Sequence, residues 1–195
     1  MEFKEDFFKL KYNKIPPVKG CVLVSEPYSG DYFFERSVVL LAEHDETGTV
    51  GFILNKRLNK SLDEITDYFG NFSADVNFGG PVGEQNLYYI HSLGTEIEGS
   101  IKISDQLYWG GNFEMVKELS LLGKLNETNI KFFVGYSGWA KGQLDDEIKR
   151  DSWLVADISE KEIMAPAPKI WKSVLNKLER KYRIWSNFPL NPESN

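Results

Sequence analysis

Apolar residues along this chain fall into short, nearly continuous runs, the pattern that buried β-strands produce. Two of these runs, 38–44 and 50–56, flank the polar segment "DETGT" and predict a hairpin in which Gly48 is free to adopt a positive φ. Residues 100–111 predict one or two short strands. The other predicted strands are 21–26, 86–93, 129–137 and 152–157.

Helical stretches lie between these runs and carry recognisable end signals. Ser61 with Glu64 three residues later forms a capping box, and Asn112 caps a second helix. Pro168 suits the first turn of the last helix. The predicted helices are 61–70, 112–123, 142–151 and 167–182, after one or two amphipathic turns within 1–16.

The order of these elements indicates the fold class. Strands and helices alternate without the regular βαβ rhythm of a parallel sheet, which favours an α+β fold with a mixed sheet. A length of 195 residues suits one domain. We therefore divide the chain into an N-terminal extension (1–18), a single domain (19–186) and a flexible tail (187–195).

Three segments, taken together, resemble a known protein family. They are "GDYFFERSVVLLAEHDETGTVGFILNK" at 30–56, "GGPVGEQNLYYIHS" at 79–92 and "GYSGWAKGQLDDEIKRDSWL" at 135–154. In this order they are similar to the YqgE/AlgH family of bacterial proteins. The resemblance implies a mixed sheet bent into a partial barrel with helices around it, in a bacterial cytoplasmic protein. It supplies no catalytic residues and no cofactor, and a role as transcriptional regulator follows from the family name alone.

Charge and composition narrow the class of function. The net charge of −6 argues against nonspecific binding of bulk nucleic acid, which depends on Lys and Arg neutralising phosphates. The single cysteine, Cys21, excludes an intrachain disulfide and lies in an apolar run, where a buried, inert thiol is expected. No segment has the apolar run of about 20 residues that a membrane span needs. We therefore expect a cytoplasmic protein without a membrane partner.

The stretch "FVGYSGWAKGQLDDEI" at 133–148 reads as a strand, a glycine-bounded turn and a helix, the order of parts in a nucleophile elbow. An elbow around Ser137 needs small residues two positions before and two after the serine. Gly135 satisfies the first requirement, but Trp139 occupies the second position. We therefore expect Ser137 to be a small turn residue, and a serine hydrolase is the rival interpretation.

The two histidines, His44 and His91, each end a predicted strand and could hold a metal ion together with a carboxylate. Strand alternation sends Glu43 to the face opposite His44, which weakens a metal site there. A hydrogen-bonded histidine is the simpler interpretation. We predict neither a metal nor a cofactor.

Three glycine-containing turns at strand ends are the candidate binding loops: "GDYFFER", "FGGPVGE" and "GYSGWAKGQ". A curved sheet can gather such loops at one mouth. The alternative is that each is a tight local corner, and the glycines of the second loop could also form an anion nest. We predict that one concavity is lined by at least three of Asp31, Arg36, Gly80, Ser137, Trp139 and Gln143, with Gly79 as a further candidate binding residue.

Two predictions concern cationic side chains. Arg36 follows an aromatic cluster, so its guanidinium should be largely buried and held by a carboxylate or by backbone carbonyls. The basic residues of the last helix should form a solvated face, and RNA binding is the alternative for them. These residues are Lys169, Lys172, Lys177, Arg180 and Lys181.

The leading functional hypothesis is a non-enzymatic regulatory or binding protein with an unidentified protein or nucleic-acid partner. One rival is a hydrolase or metal-dependent enzyme that uses Ser137 or the pair His44 and His91. The other rival is an RNA- or nucleic-acid-binding protein that uses the last helix.

Overall fold

A computed structural model describes residues 13, 15–166 and 170–189 of the chain. The strands within these residues are β1 (Val22–Val24), β2 (Val38–Asp45), β3 (Gly48–Ile53), β4 (Arg57–Ser61), β5 (Asp75–Phe78), β6 (Val82–His91), β7 (Ile101–Lys102), β8 (Tyr108–Trp109), β9 (Ile130–Ala140) and β10 (Leu154–Ala156). The helices are α1 (Leu62–Ile65), α2 (Phe113–Leu121), α3 (Gln143–Lys149), α4 (Glu160–Met164), α5 (Ile170–Lys177) and α6 (Arg180–Arg183), with 3-10 turns at Gly94–Glu96 and Ile184–Asn187.

The described strands form one mixed sheet in the order β10-β1-β2-β3-β9-β6-β8-β7, and β4 joins it through β5, which pairs with β9. The β5–β9 pairing is parallel, whereas the others are antiparallel. The long strand β9 is the centre, since it pairs with β3, β5 and β6. The sheet curves into a partial barrel that does not close, surrounded by helices. The predicted α+β fold with a mixed sheet is confirmed.

Alternate residues of β2 face two different cores, as the period of a strand requires. Leu40 packs in a large cluster with Phe52 and Trp171, whereas Leu41 packs on the other side with Trp139. Both leucines are fully buried. The sheet therefore separates two apolar layers, which explains why 38–42 is apolar without interruption.

The predicted hairpin is confirmed, because β2 pairs antiparallel with β3 and Gly48 has a φ of 153°. Cys21 is buried beside β1, as expected, and burial raises the pKa of its thiol to about 11. An anionic, reactive thiolate is therefore disfavoured at neutral pH.

One residue of the predicted N-terminal extension contacts the domain. The side-chain amide of Asn13 donates to the carbonyl of Val155 over 2.6 Å and accepts from its N–H over 3.0 Å. Asn13 thus supplies β10, the end strand of the described sheet, with the two hydrogen bonds that a neighbouring strand would give. The amphipathic turns predicted within 1–16 lie largely outside the described residues.

The helix predicted over 61–70 is much shorter in the structure. Ser61 and Glu64 form the expected capping box, but Thr66, with a φ of −158°, ends α1 after one turn. The residues immediately before it form the edge strand β4, which pairs with β5. The sequence "RLNKS" of β4 is almost entirely polar, so its strand character was not predicted.

The last helix is also interrupted, whereas the sequence predicted one helix over 167–182. Glu179 adopts extended backbone with a ψ of 148° and separates α5 from α6. After this break Tyr182 is fully buried and packs on Trp185, with 5.9 Å between ring centroids. Residues 167–169, and therefore Pro168, lie outside the described residues. The preceding helix α4, capped by Ser159, was not predicted.

Candidate functional site

Two stretches of backbone cross at van der Waals distance between β5 and β9. A Cβ atom built on Gly79 would lie 2.2 Å from the carbonyl oxygen of Gly135, and one built on Gly135 would lie 2.2 Å from the carbonyl oxygen of Gly80. A Cβ on Gly80 would lie 2.4 Å from the backbone nitrogen of Ser137. The glycines therefore make this crossing possible.

This crossing accounts for the loop that was a candidate anion nest. The N–H of Gly79 donates to the carbonyl of Val134 over 2.8 Å, and Pro81 has no N–H. Gly79 and Gly80 are both buried. The structure thus gives these two residues a structural part in the crossing and offers no row of free N–H groups from Gly79 to Pro81.

Ser137 lies within β9 rather than on a turn. Its side chain is fully buried, and its hydroxyl donates to the carbonyl of Gly79 over 3.0 Å. The strand continues through Ala140 before α3 begins at Gln143. The elbow geometry is absent here, because the serine is not exposed at a strand-to-helix turn.

The two histidines are held by separate sets of contacts. Nδ1 of His44 lies 2.7 Å from the hydroxyl of Thr49 across the hairpin. His91 is fully buried, where Nε2 lies 3.0 Å from the hydroxyl of Ser100 and its ring stacks on Tyr108. Burial lowers the pKa of His91, which favours neutral imidazole. Among the described residues, no group of three His, Cys, Asp or Glu side chains is placed to hold a metal ion.

Three of the predicted binding residues come together around one cleft of about 460 Å³. Asp31 comes from the loop before β2, Trp139 from β9 and Gln143 from the start of α3. We call this concavity the Trp139 cleft. Its other lining residues include Phe34, Glu147, Arg150 and Trp153. The predicted convergence of separate loops is therefore present in the structure, although Gly80 and Ser137 lie in the crossing and do not line this cleft.

The Glu147 carboxylate organises one wall of the Trp139 cleft. Its Oε2 accepts from the indole N–H of Trp139 over 2.9 Å and from that of Trp153 over 2.8 Å. Its Oε1 accepts from the side-chain amide of Gln143 over 3.0 Å. The amide oxygen of Gln143 in turn accepts from the N–H of Ala140 over 3.0 Å. One carboxylate thus fixes two indoles and one amide.

Gln143 and Glu147 are four residues apart and therefore share one face of α3, but the indole contacts of Glu147 were not predicted. The spacing from Trp139 to Glu147 crosses a strand end and a turn, so no single periodicity relates them. Trp153 lies beyond the helix and packs edge-on against Trp139, with ring centroids 6.0 Å apart. The signal that was available is the density of tryptophan around one short acidic helix.

Arg36 lies on a different cleft. Its guanidinium donates to the carbonyls of Phe188 (3.2 Å) and Pro189 and lies over the rings of Trp171 (5.1 Å) and Tyr28 (5.6 Å). The predicted carbonyl partners are confirmed, but the side chain is only half-buried. Arg36 also has a φ of 51°, an uncommon left-handed conformation for a non-glycine residue.

The basic residues of the last helix are partly engaged in ion pairs. Lys177 pairs with Glu162, and Lys181 lies 3.3 Å from Glu179. Lys172 and Arg180 are exposed, and Lys169 lies outside the described residues. Pairing with carboxylates reduces the positive potential that this surface would offer to a phosphate backbone.

A buried lysine was not predicted. Lys131 lies within β9, and its ammonium donates to the carbonyls of Ile163 (2.8 Å) and Ala165 (2.7 Å) at the end of α4. Burial lowers its pKa to about 8. The available signal was one lysine within the apolar run "NIKFFVGYS".

Comparisons with known proteins extend these observations. The family model described as AlgH-like matches residues 22–183. A UPF0301 protein of Parabacteroides distasonis is 40% identical over 194 residues, 98% of each chain, and a UPF0301 protein of Cytophaga hutchinsonii is 40% identical over 91% of this chain and 98% of its own.

Two solved structures share the fold. Protein DIP2367 of Corynebacterium diphtheriae has a TM-score of 0.74 and 24% identity, over 96% of this chain and all of its own. The AlgH protein of Pseudomonas aeruginosa has a TM-score of 0.67 and 22% identity, over 82% of this chain and 88% of its own. No helix among the described residues is long and apolar enough to span a membrane.

Proposed function

This chain belongs to the AlgH-like family, and we propose that it is a non-enzymatic binding protein that takes a small polar ligand into the Trp139 cleft. The observation that carries the proposal is the convergence of Asp31, Trp139 and Gln143 from three separate elements on that cleft. A concavity of this size, lined by aromatic rings and a few polar groups, is the usual form of a small-molecule site.

The lining of the cleft indicates a polar ligand with hydrogen-bond donors and acceptors. Asp31 is exposed and carries negative charge, whereas Arg150 is exposed and carries positive charge. The side chains of Trp139 and Gln143 are held in place by Glu147, so they lose little conformational freedom when a ligand binds. Such a preorganised wall supports binding rather than a purely structural packing role.

The contacts of the candidate catalytic residues favour binding over catalysis. Ser137 is buried against Gly79, and His44 and His91 each have a partner on a different element. A nucleophile without a base within reach has no means of activation. A regulatory role would then follow from occupancy of the cleft. The expected cytoplasmic location stays a prediction.

Tryptophan fluorescence tests this proposal directly, because two of the five tryptophans line the cleft. The purified protein is titrated with amino acids, sugars and nucleotides, and the emission of wild type is compared with that of the Asp31→Asn and Gln143→Ala variants. We expect at least one compound to change the emission saturably in wild type and not in the variants. Glu84→Gln, an exposed change on β6 outside this cleft, is the matched control.

Two results would overturn the proposal. One is that no compound changes the emission, or that the change persists unaltered in both cleft variants. The other is turnover in a hydrolase panel that is lost on Ser137→Ala or His44→Ala.

A further inference from the structure

A second cleft, of about 510 Å³, lies on the other side of the loop that precedes β2. We call it the Lys56 cleft. Its lining residues are Tyr32, Phe33, Glu35, Arg36, Lys56, Leu58 and Phe78. The loop serves both concavities, since Asp31 and Phe34 line the Trp139 cleft while Tyr32 and Phe33 line this one.

Aromatic rings make the Lys56 cleft apolar. Phe33 stacks on Phe78 with 5.8 Å between ring centroids, and Tyr32 meets Phe33 edge-on at 5.8 Å. Tyr32 is 86% exposed and Phe33 is 39% exposed. Large rings left in contact with water on one loop mark a surface whose burial by a ligand is favourable.

Two cations line this apolar cleft without a carboxylate partner. The Lys56 ammonium is half-buried and donates to the carbonyl of Tyr32 over 3.0 Å, and burial lowers its pKa. Within the described part of the chain, no carboxylate lies within ion-pair distance of Lys56 or Arg36. Glu35, which also lines the cleft, and Asp31 attract Lys56 only from a longer range.

The Lys56 ammonium has hydrogen-bond donors to spare. An ammonium carries three donors, of which Lys56 uses one, on Tyr32, among the described residues. The Arg36 guanidinium is engaged by the carbonyls of Phe188 and Pro189, so Lys56 is the cation with donors left for a ligand. A partly desolvated cation gains most from an anionic acceptor, because charge-assisted hydrogen bonds are the stronger kind.

From this juxtaposition we propose that the Lys56 cleft is a binding site for a small amphipathic organic anion. The apolar body of the ligand lies on Phe33 and Phe78, and its carboxylate or sulfonate accepts hydrogen bonds from Lys56, with Arg36 adding positive charge. This site is separate from the Trp139 cleft and does not depend on the function proposed for it.

The test uses 8-anilinonaphthalene-1-sulfonate, an aromatic anion whose emission rises on binding, with wild type, Lys56→Met and Lys60→Met. Lys56→Met keeps most of the unbranched stem of the side chain and removes its charge. Lys60→Met makes the same change at an exposed position of β4 outside the cleft. We expect saturable binding to wild type and to Lys60→Met, and binding weaker by about tenfold for Lys56→Met, the loss of roughly one charge-assisted hydrogen bond.

Competition by three compounds that each carry a ten-carbon chain identifies the head group that is recognised. Decanoate should displace the probe, whereas decanol and decyltrimethylammonium should do so at least about tenfold less well. A Phe33→Ser variant should weaken decanoate binding while its near-ultraviolet circular dichroism stays that of a folded protein. Equal displacement by decanol and decanoate, or wild-type affinity of Lys56→Met for the probe, would overturn the proposal.

Discussion

Ser137 donates its hydroxyl hydrogen to the backbone carbonyl of Gly79 over 3.0 Å, out of reach of solvent. The same carbonyl accepts from the N–H of Ile53 over 3.0 Å, so it keeps a partner when the hydroxyl is removed. Ser137→Ala should therefore lower the free energy of unfolding by only ~1 kcal/mol, the net value of one hydrogen bond. Urea denaturation at an unchanged m-value measures it.

A serine-reactive fluorophosphonate supplies the complementary measurement on Ser137. Neither wild type nor Ser137→Ala should be labelled, because the hydroxyl is buried and already bonded. Labelling that appears in wild type and vanishes in the variant would contradict the structural role.

The glycine crossing gives a second prediction. Gly80→Ala places a methyl carbon 2.4 Å from backbone atoms of Tyr136 and Ser137, at a residue whose φ is 148°. We expect a loss of more than ~3 kcal/mol or failure to fold, because two fixed strands would have to separate. Gly123→Ala is the matched control, with a φ of 67° but no atom within 4 Å of the added carbon. It should cost only ~1 kcal/mol. Equal losses by thermal unfolding would refute the steric argument.

Lys131 makes the stability of the protein depend on pH. The pKa of Lys131 is about 8 in the folded state, against 10.5 for a free lysine side chain. Between these values the unfolded chain binds more protons than the folded one, so the free energy of unfolding rises with pH. This contribution to stability is fully present above pH 10.5 and is lost as the pH falls through about 8. Across that range the free energy of unfolding changes by up to ~3 kcal/mol.

Lys131→Met tests this dependence, because it keeps the apolar stem and removes the titration. The difference in unfolding free energy between wild type and variant, measured in urea from pH 7.5 to 10.5, should grow in favour of wild type. Asp75 and Glu127, which line the same small cavity, are present in both proteins, so the comparison isolates Lys131. A difference that stays constant with pH would show that Lys131 keeps an ordinary pKa.

Glu147→Gln should destabilise the Trp139 cleft although the two side chains have nearly the same shape. The amide of the new glutamine presents a donor where Oε1 of Glu147 accepted from Gln143, so two N–H₂ groups would face each other. We expect a loss of ~1–3 kcal/mol together with a shift in tryptophan emission. Glu84→Gln, exposed on β6, should change neither thermal unfolding nor emission. A silent Glu147→Gln would mean that the carboxylate does not hold the indoles.

Local patterns in the sequence were sufficient for much of the fold. Residues close to one another in the sequence determine three features that were predicted correctly: the β2–β3 hairpin, the Asn112 cap of α2 and the burial of Cys21. The edge strand β4 and the break at Glu179 were not, because both depend on what the chain packs against rather than on its own periodicity.

The candidate sites divide along the same line. Glycine-containing turns at strand ends predicted that at least three of six residues line one concavity, and Asp31, Trp139 and Gln143 do. Gly80 and Ser137 have the same local signature but serve a backbone crossing instead. The two uses of glycine differ only in long-range contacts, which no local pattern encodes. For the same reason Lys131 and the indole contacts of Glu147 were not foreseen.

The backbone crossing has a consequence for laboratory evolution of this protein. Since every side chain larger than hydrogen at Gly79, Gly80 or Gly135 would overlap backbone atoms, a mutagenesis library gains nothing by varying these three codons. Asp31 and Gln143, by contrast, are exposed on the rim of the Trp139 cleft and lie outside the crossing. Selections for new ligands should therefore randomise the rim of the cleft and keep the crossing fixed, which confines the search to sequences that can still fold.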